Sequence, residues 1–509
     1  MSESVWGIVQ ANRSARALGA PGRAWLDGAG LQALVETVQA GLNGAGIGRG
    51  DRVAIVLPNG TAMASCFVAV AATCTAAPLN PAYKLEELEF YLQDLSPAAL
   101  IVDVDSEEDA AGLAAARLGI PVIGLRRDDV DEGGPAGLFG LDLSRLPAKA
   151  AGRPGPAEAD DIALVLHTSG TTARPKIVPL SNRNLIASAR HIAVALALTP
   201  GDVCLNVMPL FHIHGLVAAV LASLSAGAGV CCTPGFNAFR FGEWLGEVKP
   251  TWYSAVPTMH QAILMRMRGR TEVARAAGLR LIRSSSASLP PQVMAELEQV
   301  FGSPVIEAYG MTEASHQMAS NPLPPRARKP GSVGLAAGPE IGIMGEGGAL
   351  LPQGEVGEVV ISGPNVTAGY DRNPDANAGA FTNGWFRTGD QGRLDEEGYL
   401  FLTGRLKEQI NRGGEKISPL EIDVVLLDHP GIAQAVTFGI PHDKLGEEVG
   451  VVVVLRTGAT LTEQEVRDFA AGRLAPYKVP RKVVIMFHMP KGPTGKVQRI
   501  GLAKTLGLA

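Results

Sequence analysis

Short apolar runs rich in β-branched residues recur along this chain with helical stretches between them, and that alternation restricts the fold more than any other feature. VAIVLP at 53 to 58, ALIVDV at 99 to 104, ALVLHT at 163 to 168 and TWYSAV at 251 to 256 have the length and residue types of buried strands, while 181 to 197 and 291 to 301 carry a helical period. The pattern predicts an α/β protein of layered, mostly parallel sheets flanked by helices. At 509 residues the chain is too long for one hydrophobic core, so two or more domains are expected. Residues 105 to 160, with DEGGPAG and GRPGPAEADD, are expected to include surface loops between two sheet subdomains. Near residue 404 the texture changes: GRLKEQINRGGEKISP is polar and glycine-containing, and a compact stretch with its own helix and strand signals follows, VGVVVVL at 449 to 455 among them. The expected division is a large N-terminal domain over 1 to 404 and a small α+β domain over 405 to 509.

The charge balance narrows the possible partners. A formal net charge of −5 speaks against general affinity for nucleic acid or an anionic membrane, which needs clustered Lys and Arg, so any phosphate must be held locally. Cys66, Cys74, Cys204, Cys231 and Cys232 are odd in number and lack the spacing of a zinc site or a secreted disulfide framework; adjacent Cys231 and Cys232 sit in an apolar run and read as buried strand residues. The first residues, MSESVWGIVQANRSARALG, contain no apolar core of signal-peptide length, no window resembles a membrane span, and KTLGLA is not a peroxisomal address. A cytoplasmic location is expected.

The densest chemical signal is LHTSGTTARPK at 166 to 176, which follows an apolar strand and precedes the helix that starts near Ser181. Four hydroxyls, a glycine and a terminal lysine on one turn offer neutral and charged donors to phosphate oxygens, and Gly170 allows close backbone approach. The spacing is not that of a Walker loop. Four further segments accompany it in order: EAYGMTEA at 307 to 314, GWFRTGD at 384 to 390, YLFLTGRLKE at 399 to 408 and KGPTGKVQR at 491 to 499. Together, over nearly the whole chain, they resemble the adenylate-forming superfamily of acyl-CoA synthetases, firefly luciferase and peptide-synthetase adenylation domains. One position departs from the family pattern: Ile177 stands where a glycine usually follows the loop lysine.

The resemblance implies an enzyme that activates a carboxylate with ATP and Mg²⁺ and passes the acyl group to coenzyme A. It implies that Thr168, Ser169, Gly170, Thr171, Thr172 and Lys176 embrace the β- and γ-phosphates, where charge grows as pyrophosphate leaves. Glu307, Ala308, Tyr309 and Gly310 would line the nucleotide with Tyr309 stacked on adenine, beside Ser286 and Ala287; Thr312 would donate to the α-phosphate and Glu313 would hold Mg²⁺. Asp390 and Arg405 would bind the ribose hydroxyls, and Lys407 would be the hinge of the small domain. Lys496 would bridge the acid carboxylate and the α-phosphate, lowering the repulsion between two anions, and Gly413 and Gly414 would leave room for the pantetheine arm. The thiol of CoA supplies the nucleophile, which agrees with the lack of a Gly-x-Ser-x-Gly elbow.

The acid pocket of such enzymes is lined by PLFHIHG (209 to 215), by RSSSASL (283 to 289) and by residues after the Thr-Glu pair. Here those segments are unusually polar. His212 is the family's usual histidine, with a role in shielding the carboxyl site and opening it to the thiol; His214, Ser288 and His316 are extra polar groups, expected to clamp a second carboxylate. Imidazoles and a hydroxyl suit a long alkyl chain poorly, since each unpaired buried polar group costs about 1 to 3 kcal/mol. The combination looks closest to the oxalate–CoA ligases. The alternatives are a ligase for another acid (malonate, acetate or a fatty acid) and an adenylation protein that loads a carrier in trans. A malonate enzyme is expected to put an arginine in the pocket, and Arg283 is close in sequence.

Overall fold

The computed structural model describes residues 3–104, 109–127, 134–168, 175–490 and 499–509. Its contacts divide the chain into two compact units, one comprising Met1–Thr168, Lys176–Glu340 and Ser362–Ala380, the other including Ile341–Ile361 and Phe381–Ala509.

The first unit contains two large sheets. One has seven strands in the spatial order Gly140–Asp142, Val122–Arg126, Ala99–Asp103, Arg52–Val56, Thr75–Pro78, Ile162–His167 and Ile177–Ser181; the inner strands are parallel and the two outermost pair antiparallel. The other has eight strands, beginning at Leu18–Gly19, which pairs parallel with Gly229–Cys232. Between the sheets runs the helix Thr61–Ala71, in which every residue except Ala62 is buried. A helix apolar all round can only be an interior helix, and Phe67, Val68 and Val70 join Leu164, Leu216 and Ile306 in one core.

The strands and helices anticipated from the apolar runs form with boundaries shifted by one or a few residues: Arg52–Val56, Ala99–Asp103, Ile162–His167, Trp252–Ala255, Asn182–Ala195 and Pro291–Phe301. The stretch 105 to 160, expected to include surface loops, also contributes regular elements. That stretch contains the helix Ala110–Leu118 and the strands Val122–Arg126 and Gly140–Asp142, which extend the seven-stranded sheet. Alanine-rich AAGLAAARL is a strong helix former, and Gly119 ends it in the left-handed region at φ 67°, so the high glycine and proline content around it punctuates structure instead of abolishing it. Cys66, Cys74, Cys204, Cys231 and Cys232 are all free and buried.

In the second unit, a five-stranded sheet includes Gly357–Ser362, Trp385–Leu394 and Leu400–Arg405. A further sheet is built on the long hairpin Ile432–His442 and Gly446–Leu455, with the helices Pro419–Leu427 and Glu463–Ala471 contributing to its core. Among the described residues, no helix is long and apolar enough to cross a membrane.

Candidate active site

Four strands of the eight-stranded sheet bring the polar segments together. β1 (Trp252–Ala255), β2 (Leu281–Ser284) and β3 (Val305–Met311) are parallel, and β4 (His316–Ser320) returns antiparallel to β3. Register sets Ser254 beside Arg283 across β1 and β2, and Met311 beside His316 across β3 and β4. Gly310 permits the last approach: a Cβ there would lie 1.6 Å from the His316 carbonyl oxygen.

His214 arrives from the other side, at the start of the π-helical stretch His214–Leu221, a rare geometry frequent at functional sites. The turn before it is tight enough that a Cβ on Gly215 would meet the Pro209 carbonyl oxygen at 2.4 Å. The His214 and His316 rings meet edge to face, centroids 4.9 Å apart, and both residues are buried. His214 Nε2 lies 2.6 Å from Ser254 Oγ and Nδ1 lies 3.1 Å from Ser286 Oγ. Ser286, Ser315 and His316 have positive φ values of 73°, 49° and 94°. Left-handed backbone at non-glycine residues costs on the order of 1 to 3 kcal/mol each, and its concentration here marks a constrained site.

Behind both rings is Arg283, fully buried. It donates from Nη2 to Gln317 Oε1 at 3.0 Å and from Nη1 to Ser254 Oγ at 3.3 Å, with His214 Nε2 and His316 Nδ1 each 3.5 Å from the guanidinium. No carboxylate pairs with it among the described residues. Burial lowers its pKa to about 9, still above neutrality, so the group is a cation. Burying a charge without a counterion is disfavoured by on the order of several kcal/mol, which makes this arginine the most costly feature of the site.

Of the three residues expected to clamp a second carboxylate, the structure brings His214 and His316 together. Ser288 is exposed, and the serine against His214 is Ser286. The reason is the strand end: after Ser284 the chain leaves the sheet and turns through Ser286 in the left-handed region, which carries Ala287 and Ser288 outward. Gln317 was not among the sequence candidates for this cluster, and Arg283 entered only as the arginine a malonate enzyme would need. Arg283 left a signal, a charge within the strand Leu281–Ser284, where burial demands partners.

Glu307 differs from expectation in where its side chain goes. It is 2% exposed, and its carboxylate accepts the Leu289 N–H at 3.0 Å, which fastens the 285 to 289 segment to β3. Burial pushes its pKa up to about 7. A carboxyl raised in this way favours folding while protonated: its contribution is whole below the ordinary carboxyl range and is lost as pH rises through about 7. Glu307→Gln, which keeps the acceptor without the charge, is therefore expected to stabilise the protein by roughly 2 kcal/mol at pH 8 and to change little at pH 5. Thermal unfolding of both proteins at the two pH values checks this; equal shifts at both would refute it.

On the nucleotide side, Thr312, Glu313 and Ala314 form one 3-10 turn immediately after β3. Glu313 is buried, and its Oε1 accepts the Tyr370 hydroxyl at 2.9 Å. Lys176 Nζ lies 4.3 Å from the centroid of the same Tyr370 ring, so this tyrosine, which the motifs did not single out, connects the loop lysine to the acidic residue. The Thr168 N–H donates to the Lys176 carbonyl at 2.9 Å; Ser169, Gly170, Thr171 and Thr172 lie outside the described residues. Ile177 is buried, opens the strand Ile177–Ser181 opposite His167 and packs with Ala54, Val56 and Val165, which gives the departure from glycine a packing reason. Ala308 and Tyr309 are buried in β3, and His212 packs its ring on Phe211 with centroids 4.6 Å apart.

In the second unit, Asp390 and Arg405 are register partners, with Arg405 Nε donating to Asp390 Oδ1 at 2.8 Å. Gly413 and Gly414, at φ 61° and 93°, form the two-residue turn of the hairpin Ile410–Arg412 and Glu415–Ile417, a turn that itself requires positive φ at both central positions. Lys407 is exposed in the 3-10 turn Leu406–Glu408. Lys496 lies outside the described residues.

Comparisons with known proteins agree with this arrangement. Residues 8–371 match the AMP-binding enzyme family and 421–496 match the AMP-binding enzyme C-terminal domain. The chain belongs to the AMP-binding enzyme family. It is 46% identical over 489 residues to an oxalate–CoA ligase of Arabidopsis thaliana, covering 95% of this chain and 94% of that one. It is 42% identical over 478 residues to an oxalate–CoA ligase of Saccharomyces cerevisiae, covering 90% and 87%. Among solved structures, ATP-bound MatB from Rhodopseudomonas palustris superposes with a TM-score of 0.86 at 31% identity, covering 99% of each chain.

Proposed function

We propose that this protein is an ATP-dependent, AMP-forming acid–CoA ligase whose acid is oxalate. The observation that carries the choice of acid is the pair of buried imidazoles, His214 and His316, in ring contact at the end of the sheet beside Ser286. Two imidazoles and a hydroxyl reward a second carboxylate with hydrogen bonds and penalise an alkyl chain that leaves them unpaired. The two oxalate–CoA ligases at 46% and 42% identity support the same choice.

In the first half-reaction an oxalate oxygen attacks the α-phosphorus of ATP, and pyrophosphate leaves, giving oxalyl-adenylate. Thr168 through Thr172 and Lys176 hold the departing phosphates, and Lys496 holds the attacking carboxylate against the α-phosphate. The donor chemistry fits Mg²⁺. Glu313 offers a hard carboxylate oxygen held in place by Tyr370. When bound there, the ion offsets phosphate charge. Tyr309 stacks on adenine, Thr312 donates to the α-phosphate, and Asp390 with Arg405 holds the ribose. In the second half-reaction the CoA sulfur attacks the oxalyl carbonyl and AMP leaves, with Gly413 and Gly414 beside the pantetheine arm and His212 at the carboxyl opening. His316 holds the distal carboxylate, joined by His214 through the Ser286 hydroxyl, with Ser288 at the rim. The residues from 405 onward act as the small domain, turning about Lys407 between the two steps.

With ATP, Mg²⁺ and CoA, the purified protein is expected to release pyrophosphate with oxalate at least about tenfold faster than with acetate or octanoate. Equal release with all three acids would remove oxalate from the assignment.

A further inference from the structure

We propose that Arg283 is the positioning residue that selects a doubly charged acid, acting through His214 and His316 without touching the acid. The inference rests on the oxalate reading only for the place of the acid's far carboxylate.

A guanidinium donates and never accepts. The two ring nitrogens nearest Arg283, His214 Nε2 and His316 Nδ1, therefore present lone pairs to it, and the ring protons are assigned to His214 Nδ1 and His316 Nε2. Ser254 fits the same direction of donation: its Oγ accepts from Arg283 Nη1 at 3.3 Å, and its hydroxyl proton goes to His214 Nε2 at 2.6 Å. His214 Nδ1 then donates to Ser286 Oγ at 3.1 Å. A directed chain of donors thus runs from the buried charge through Ser254 and His214 to Ser286, where the segment begins to open to solvent.

The charge has a second consequence. A fixed cation 3.5 Å from each imidazole opposes protonation of both rings. The other titratable neighbours do not balance it: Cys204, whose thiol burial raises well above its usual range, is neutral, and so is His260, which burial lowers to about 4. The site accordingly holds one permanent positive charge, with the Ser286 hydroxyl at the end of the donor chain and the His316 Nε2 proton beside it. An acid with one carboxylate, spent on adenylation, leaves that charge unanswered; an acid with a second carboxylate answers it.

The test uses the full chain carrying Arg283→Gln or Arg283→Lys, checked for folding by circular dichroism, with pyrophosphate release measured for oxalate and acetate. Arg283→Gln is expected to lower the ratio of kcat/KM for oxalate over acetate by roughly 100-fold, mainly through the oxalate KM, with the ATP KM unchanged within about twofold. Arg283→Lys, which keeps the charge, is expected to retain all but about tenfold of the ratio. A folded Arg283→Gln protein with the wild-type ratio overturns the proposal. If neither variant folds, ¹⁵N spectra of histidine-labelled wild-type protein decide it: neutral rings with lone pairs on His214 Nε2 and His316 Nδ1 support the assignment, and a proton on either nitrogen overturns it. A wild-type protein with no preference for oxalate would refute the oxalate reading instead, and the same spectra would still decide the role of Arg283.

Discussion

Lys496→Ala is expected to reduce oxalyl-adenylate formation by about a thousandfold while leaving the conversion of supplied oxalyl-adenylate and CoA nearly intact. Forming the adenylate brings two anions, the carboxylate and the α-phosphate, to bonding distance. One ammonium within about 4 Å of an anionic oxygen contributes on the order of 4 kcal/mol at the effective dielectric of a partly buried site, which is close to a thousandfold in rate. The second half-reaction begins from an adenylate in which that repulsion has already been overcome. Pyrophosphate release and single-turnover thioester formation measure the two steps separately. Equal losses in both would withdraw the proposed role and point to a general defect of the C-terminal unit.

Asp390→Ala is expected to raise the ATP KM by about 100-fold with little effect on the oxalate KM. The carboxylate is 6% exposed and already oriented, accepting from Arg405 Nε and standing two residues beyond Thr388, whose hydroxyl accepts the Asp390 N–H at 3.0 Å. A preoriented carboxylate can accept from both ribose hydroxyls, and hydrogen bonds to a charged group contribute about 1.5 to 3 kcal/mol each. Steady-state kinetics with each substrate varied in turn separates the effects. A parallel rise in both constants would mean that Asp390 supports its sheet and not the nucleotide.

The readings that succeeded and those that shifted differ in the range of the interactions they depend on. Ile162–His167 and Asn182–Ala195 were legible because their signals are local: β-branched apolar residues in one, helical periodicity after the Ser181 cap in the other. The expectation of a polar acid pocket rested on His214, Ser288 and His316, local residue types in otherwise apolar segments. The helix Ala110–Leu118 was hidden by the glycine- and proline-rich sequence around it. Ser288 and Ser286 exchanged places for a reason that residue type does not reveal: the backbone turns through the left-handed region at Ser286, which breaks the alternation that would have put both hydroxyls on one face. Tyr370 went unremarked because its partners, Lys176 and Glu313, lie 194 and 57 residues away in the chain.

The sequence by itself determined the α/β class, the family, and the order of the five motifs, since each depends on residues that act within one turn or one strand. Only the tertiary structure decided that Arg283 stands buried behind His214 and His316. That neighbourhood is produced by strand register, Ser254 beside Arg283 and Met311 beside His316, and by the helix that carries His214 in from a different part of the chain. Strand register and helix packing are settled by the whole core at once, so no local stretch of sequence encodes where a single buried charge will find its partners.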